Sequence, residues 1–332
     1  MTDRHSAGSL PPRGDGRRGF IPFIKRWMLP IAMVTGVLAY FIYVNIPALD
    51  GTHVFMNKLI SIVQPLLLFL MLFCSFCKVS PRELRPKRWM LGMLIIQAVS
   101  FVLLGLFIVA FPAVPGRIII ESAMLCMICP TATAAAVVTI RLGGRASVVV
   151  SYTVMINLVT SILVPAIVPL LHEVRGAGED FLTAFSLIIG KVFPLLLMPL
   201  LLAWLVRYLM PAFHAKVLEQ KNLAFNLWAV SLCLAISVSV KAIVHSDDSV
   251  WTLAGIALVS LFCCLLQFYL GHKIGVLNHH PVEGTQSMGQ KNTVFLIWLG
   301  YTFMNPLTAL AGGFYSIWHN VINSYQLVRK EK

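Results

Sequence analysis

Ten nearly uninterrupted apolar stretches, each close to the ~20 residues a helix needs to cross a bilayer, leave one class of fold open. They run over Trp27–Ile46, Leu59–Cys77, Trp89–Phe111, Ile118–Ile140 and Ala146–Leu171, then Phe181–Val206, Leu223–Val244, Val250–Gly271, Thr285–Phe303 and Pro306–Val328. Five lie on each side of the polar loop His172–Asp180. Only 12% of the 332 residues are charged and 58% are hydrophobic, with a mean hydropathy of +0.83. Soluble domains carry about 25% charged residues. A soluble enzyme, a secreted disulfide scaffold and a disordered protein are therefore excluded, and the sequence predicts an all-α polytopic membrane protein.

The formal charge of +13 does not indicate nucleic acid, because the basic residues form short clusters between apolar runs and no long stripe. With the N-terminus inside, 20 of the 26 Lys and Arg fall on inner segments, among them Arg17, Arg18, Lys25, Arg26, Lys78, Arg82, Arg85, Lys87 and Arg88. The outer loops hold Asp50, Glu173, Glu179, Asp180, Asp247 and Asp248. This distribution predicts ten helices with both termini cytoplasmic in an inner membrane, and residues 1–26 as a disordered cytoplasmic tail. The seven cysteines lie in or beside apolar runs and read as reduced, packed thiols.

Five helices per half reverses the orientation of the second half, so the chain reads as two inverted repeats, 27–171 and 181–328. Their fourth helices are interrupted at corresponding places. The first breaks at Cys129-Pro130-Thr131, where proline removes a backbone donor and crowds the preceding turn. The second breaks within Thr285-Gln-Ser-Met-Gly-Gln-Lys-Asn-Thr293, the most polar stretch in any run. Matching broken helices point to a binding site at the bilayer midplane, lined by freed backbone.

A half-helix that starts at the midplane presents unpaired N–H groups and the positive end of its dipole. Thr131 or Thr133 is the expected cap on one half-helix and Asn292 or Thr293 on the other, framing an anion site for a carboxylate or sulfonate. Lys291 is the most informative residue, since a charge at the centre of a membrane helix costs about 2.5–3.5 kcal/mol on insertion scales and marks function by default. Lys191 also falls mid-span, but its own segment supplies no partner, and it reads as structural or snorkelling. Glu121 is close enough to its helix end to reach water. The pairs Cys74/Cys77 and Cys126/Cys129 lack matched histidines and read as packed thiols, so no metal is expected. His279–His280 sits in a loop, and His319 reads as hydrogen-bonded packing.

Cys129-Pro-Thr-Ala-Thr-Ala-Ala-Ala-Val137 resembles the P-G-G-T-A-S-N-V break of the bile acid:sodium symporter family, and Gly289-Gln-Lys-Asn-Thr293 resembles its second break, E-x-G-x-Q-N. Asn305-Pro306 followed by Gly313-Phe-Tyr-Ser-Ile-Trp-His-Asn320 is similar to its last-helix pattern, and Gln97 matches a glutamine that helps bind sodium there. The resemblance runs from about Trp27 to Asn323. It implies a core domain (about 89–171 and 250–328) in which broken helices four and nine cross, and a panel domain (about 27–77 and 181–244). Alternating access would move core against panel around a small organic anion.

Departures from the pattern change the expected chemistry. The sodium-ligating Ser-Asn pair falls on Ala135 and Ala136, the central Glu on Ser287, and the Gln before Asn on Lys291, preceded by Gln290. Asn157 and Ser161, four apart on the fifth helix, could add polar groups to the region around Pro130. The sequence thus suggests sodium-independent anion transport, with Lys291 standing in for a sodium ion and proton coupling if it titrates. No other cofactor, no catalytic residue and no nucleic-acid partner is expected. A sodium symporter with other ligands, a redox enzyme using the CxxC pairs, an arsenite carrier and a non-transporting sensor stay open as alternatives. The oligomeric state does not follow from the sequence.

Overall fold

The structure is a computed structural model that describes residues 20–172, 174, 180–220, 223–245 and 249–331. Most of the expected tail, residues 1–19, lies outside them. The described residues form thirteen α-helices and no β-strand. In chain order these are α1 (Phe20–Val44), α2 (His53–Phe76), α3 (Arg88–Ala110), α4 (Arg117–Ile128), α5 (Ala135–Arg141), α6 (Ala146–Ile167) and α7 (Phe181–Leu209). There follow α8 (Pro211–Glu219), α9 (Leu223–Val244), α10 (Val250–Leu277), α11 (Pro281–Gly289), α12 (Thr293–Phe303) and α13 (Ala309–Glu331). Every apolar run coincides with one helix or with a broken pair.

Six helices are long and apolar enough to cross a membrane: α2, α3, α6, α7, α9 and α10. That is the signature of a helical integral membrane protein. The other four apolar runs miss that criterion for separate reasons. Only Pro30–Val44 of α1 enters it as a short apolar helix, α4–α5 and α11–α12 are each interrupted, and α13 carries Ser316, His319, Asn320, Asn323 and Gln326 among its apolar residues. The helix α8, with proline at its first position, is an addition that the apolar pattern did not suggest. His214 on α8 bonds through Nε2 to the Cys77 carbonyl at 2.9 Å, which ties it to the end of α2.

Packing follows the small residues. Gly271 and Gly275, one turn apart on α10, face Gly284 on α11 so closely that a methyl group added at Gly284 would sit 2.4 Å from the Gly271 carbonyl oxygen. Small residues at i and i+4 are how membrane helices bring their backbones together. Elsewhere α1 packs on α9, α2 on α7 and α9, α6 on α7 and α3, and α10 on α4 and α13. The short helix α5 ends in a Schellman turn. The Gly144 amide bonds the Thr139 carbonyl and the Gly143 amide that of Ile140, with Gly143 at φ +83°.

Candidate functional site

The two breaks meet. Proline at 130 cannot donate and drives the preceding residue extended, and Cys129 indeed takes ψ 130°, which stops α4 at Ile128. The other break opens where Gln290 turns extended after Gly289, with ψ 105°. The two extended segments run antiparallel through a Thr131–Lys291 bridge. Ala132 N–H donates to the Gln290 carbonyl at 2.8 Å and Asn292 N–H to the Pro130 carbonyl at 2.8 Å. The freed backbone of each half-helix is thus satisfied by the other, as buried backbone must be.

Side chains lock the crossing. Thr131 Oγ1 donates to the Ser287 carbonyl at 2.6 Å, Cys129 Sγ to the Asn292 carbonyl at 3.1 Å, and Tyr315 OH to the Gly289 carbonyl at 2.9 Å. Asn292 is the N-cap of α12, its Oδ1 accepting from Phe295 N–H at 3.3 Å. The expected cap of α5 is corrected: its N-cap is Ala134, with no side-chain bond, because Thr131 is spent on Ser287 and Thr133 sits in the turn before the helix. Thr293 opens α12 as a buried first residue, Ala135 is fully buried and Ala136 half-buried.

Four polar atoms at this crossing are buried and have no hydrogen-bond partner among the described residues: Ser287 Oγ, Gln290 Oε1, Lys291 Nζ and Asn292 Nδ2. Lys291 is 1% exposed, and the buried Cys126, Cys129, Cys263 and Cys264 are near enough to act on its ammonium electrostatically without bonding it. Leaving such groups unmatched costs about 1–3 kcal/mol each, more for a charge, unless a ligand or water answers them. They include both donors and acceptors, so the site suits a polar or charged occupant. No group of three or more His, Cys, Asp or Glu among the described residues could hold a metal ion.

Gln97 does not touch the crossing by hydrogen bond. It donates to Gln267 Oε1 at 2.9 Å and accepts from Tyr152 OH at 2.5 Å. Gln267 donates in turn to Tyr315 OH at 3.2 Å and to the Cys126 carbonyl at 3.1 Å, so a buried chain of four side chains leads to the α4 end. Asn157 bonds the Leu196 carbonyl of α7 at 3.1 Å and Ser161 the Leu158 carbonyl of its own helix at 2.8 Å. Thr160, lying between them in sequence, is the α6 side chain that bonds the end of α4, at the Ile128 carbonyl, 3.0 Å away. Thr160 and Gln267 carried no motif and gave no signal beyond being polar residues in apolar runs, and Tyr315 lies within the Gly313–Asn320 pattern but was given no role there.

A second feature lies beside α12. A cavity of about 410 Å³ opens between α2, α7 and α12, lined by Ser61, Phe69, Lys191, Leu195, Trp298 and Thr302 together with Pro65, Leu66 and Pro194. Lys191 Nζ stands 5.5 Å from the centre of the Phe303 ring and has no ion pair among the described residues. Glu121, by contrast, is buried and ion-paired to Arg117 at 2.8 Å, with His172 Nε2 at 3.0 Å, so it does not reach water as the sequence suggested. At the N-termini of α3 and α11, His280 bonds Lys87 at 2.5 Å and stacks on Trp89. No protein-family model matches this chain, and no curated protein matches it.

Proposed function

We propose that the protein is a secondary active transporter of a small organic anion, working by alternating access around the crossing of α4–α5 and α11–α12. The observation that carries the reading is the Thr131–Lys291 crossing itself, with a buried ammonium and unpartnered Ser287, Gln290 and Asn292 atoms beside it. Broken helices whose ends meet inside a helical membrane protein suit ion and substrate sites. Support for two inverted five-helix repeats comes from the buried polar chain. Gln97 of α3 pairs with Tyr152 of α6, Gln267 of α10 pairs with Tyr315 of α13, and the two glutamines pair with each other. A two-fold axis in the membrane plane would exchange these pairs. In this reading α1, α2, α7 and α9 form the panel and the remaining spanning helices the core, with both termini cytoplasmic. The resemblance to the bile acid:sodium symporter family agrees with it.

Lys291 takes the place of a sodium ion. Its ammonium neutralises the crossing where a sodium symporter would need oxygen ligands, and Ala135 and Ala136 offer none. Transport is therefore sodium-independent, and driven by protons if Lys291 exchanges one during the cycle. The test follows thermal unfolding of detergent-purified protein against sodium, with choline holding ionic strength. A specific ion at about 100 times its dissociation constant stabilises by about 2.7 kcal/mol. Sodium is expected to leave the melting temperature unchanged, and uptake of carboxylates and sulfonates into proteoliposomes is expected to be lost in Lys291→Gln. Stabilisation by sodium, or full uptake by Lys291→Gln, sinks the reading.

A further inference from the structure

Lys191 is exposed within the structure although it lies in the interior of α7, a helix apolar enough to cross a membrane. A cation in that position is expensive against hydrocarbon, so it faces water or a partner. Its surroundings are mostly apolar but hold a few polar groups. Pro65 and Pro194, both in the cavity lining, remove the amides that would bond the carbonyls four residues earlier, those of Ser61 and Gly190. Ser61 and Thr302 add hydroxyls to the same lining. The only described contact that engages the Lys191 ammonium is the face of Phe303, an attraction of about 0.5–1 kcal/mol when exposed, and one a full negative charge would displace.

We infer that Lys191 docks the anionic group of an organic anion in this cavity, with Phe69, Leu195 and Trp298 against its apolar body. The inference rests on the transport reading for the identity of the anion, but it places first contact away from the crossing. Lys291 is 1% exposed and cannot meet a ligand until helices move, whereas Lys191 is open to one in the conformation described. The cavity's ~410 Å³ lies at the small end of the range of about 300–1,000 Å³ that ligand pockets occupy. It suits an anion with one or two rings or a short chain. A lining of one cation, two hydroxyls and six apolar side chains excludes a dianion as the preferred ligand, since a second charge finds no cationic partner among the lining residues.

The test uses naphthalene-2-sulfonate and its uncharged counterpart, naphthalene-2-sulfonamide, titrated calorimetrically into detergent-purified protein. Wild type and Lys191→Arg are expected to bind the sulfonate with similar affinity. Lys191→Gln is expected to bind it at least about tenfold more weakly, as loss of a charge-assisted bond implies, while sulfonamide affinity changes by less than about twofold. The melting temperature of Lys191→Gln, expected to match wild type, verifies its fold. Equal sulfonate affinity in wild type and Lys191→Gln, or no saturable sulfonate binding to wild type, overturns the inference. If Lys191→Gln weakens the sulfonate but wild type takes up no carboxylate or sulfonate, the site stands and the transport reading falls. If uptake depends on Lys291 while sulfonate binding ignores Lys191, the reading stands and the site falls.

Discussion

The contact between α10 and α11 is the place where one methyl group should have a measurable and calculable effect. In Gly284→Ala the new Cβ would stand 2.4 Å from the Gly271 carbonyl oxygen and 2.9 Å from the Gly275 Cα, both backbone atoms. Ordinary contact begins near 3.4 Å, so the helices must separate by about 1 Å. Overpacking costs about 1–3 kcal/mol where side chains can yield, and here none of the obstructing atoms is a side chain, which puts the cost near the top of that range. Alanine returns about 1 kcal/mol of helix propensity. The net loss is about 2 kcal/mol, or roughly 4–8 °C in melting temperature at about 2–4 °C per kcal/mol. Displacing α11 also strains the 2.6 Å bond between Thr131 and the Ser287 carbonyl. The assay is intrinsic-fluorescence melting of the detergent-purified protein, with Gly92→Ala as control. A methyl group at Gly92 meets nothing within 4 Å, so that variant should hold or gain stability. A Gly284→Ala protein that melts within about 1 °C of wild type, or a Gly92→Ala protein that loses as much, would refute the reasoning.

Two further substitutions probe polar groups. Gln97→Leu leaves the Gln267 Oε1 and Tyr152 OH without their partner and should cost about 2–3 kcal/mol; Gln267→Leu should cost as much. The double variant should lose about 1–2 kcal/mol less than the sum, and strict additivity in melting experiments would deny their coupling. Asp180 caps α7, and hydrogen bonds from the Thr183 hydroxyl and then the Thr183 amide hold its carboxyl below the usual carboxylate range. A depressed carboxyl contributes stability that is complete above its unfolded value of about 3.9 and is lost as pH falls through the folded value. Wild type should therefore lose its small advantage over Asp180→Asn only below about pH 4, and an advantage that grows on acidification would contradict the cap.

Much of the architecture was legible because a bilayer reduces folding to a question of length. Trp89–Phe111 against Arg88–Ala110, or Leu223–Val244 matched to the residue, shows how closely an apolar run fixes a helix when hydrocarbon forbids any other backbone. The breaks were legible for the converse reason: proline at 130 and the polar run around Lys291 cannot continue an apolar helix. That the two breaks meet was also expected, from their matching positions; the register of Thr131 against Lys291 was not, because the bridge joins residues far apart in the chain and periodicity carries no register between distant segments. The same limit hid Gln267 and Tyr315, whose meaning lies in each other and in Gln97. It hid Lys191 more completely, since the elements that give it a cavity, α2 and α12, come from either end of the sequence. The α8 helix was missed on different grounds, being too short and too mixed for an apolar window. Within one class of residue, then, sequence and packing weigh the two mid-helix lysines differently. Sequence ranked Lys291 first because its neighbours are polar and Lys191 low because its neighbours are not. Burial reverses what those neighbours mean: the polar neighbours of Lys291 close over it, while the apolar neighbours of Lys191 leave its ammonium exposed and facing open volume. A lysine open to a ligand and a lysine closed within the crossing are distinguished by packing, and that is the distinction the sulfonate titration and the sodium experiment measure separately.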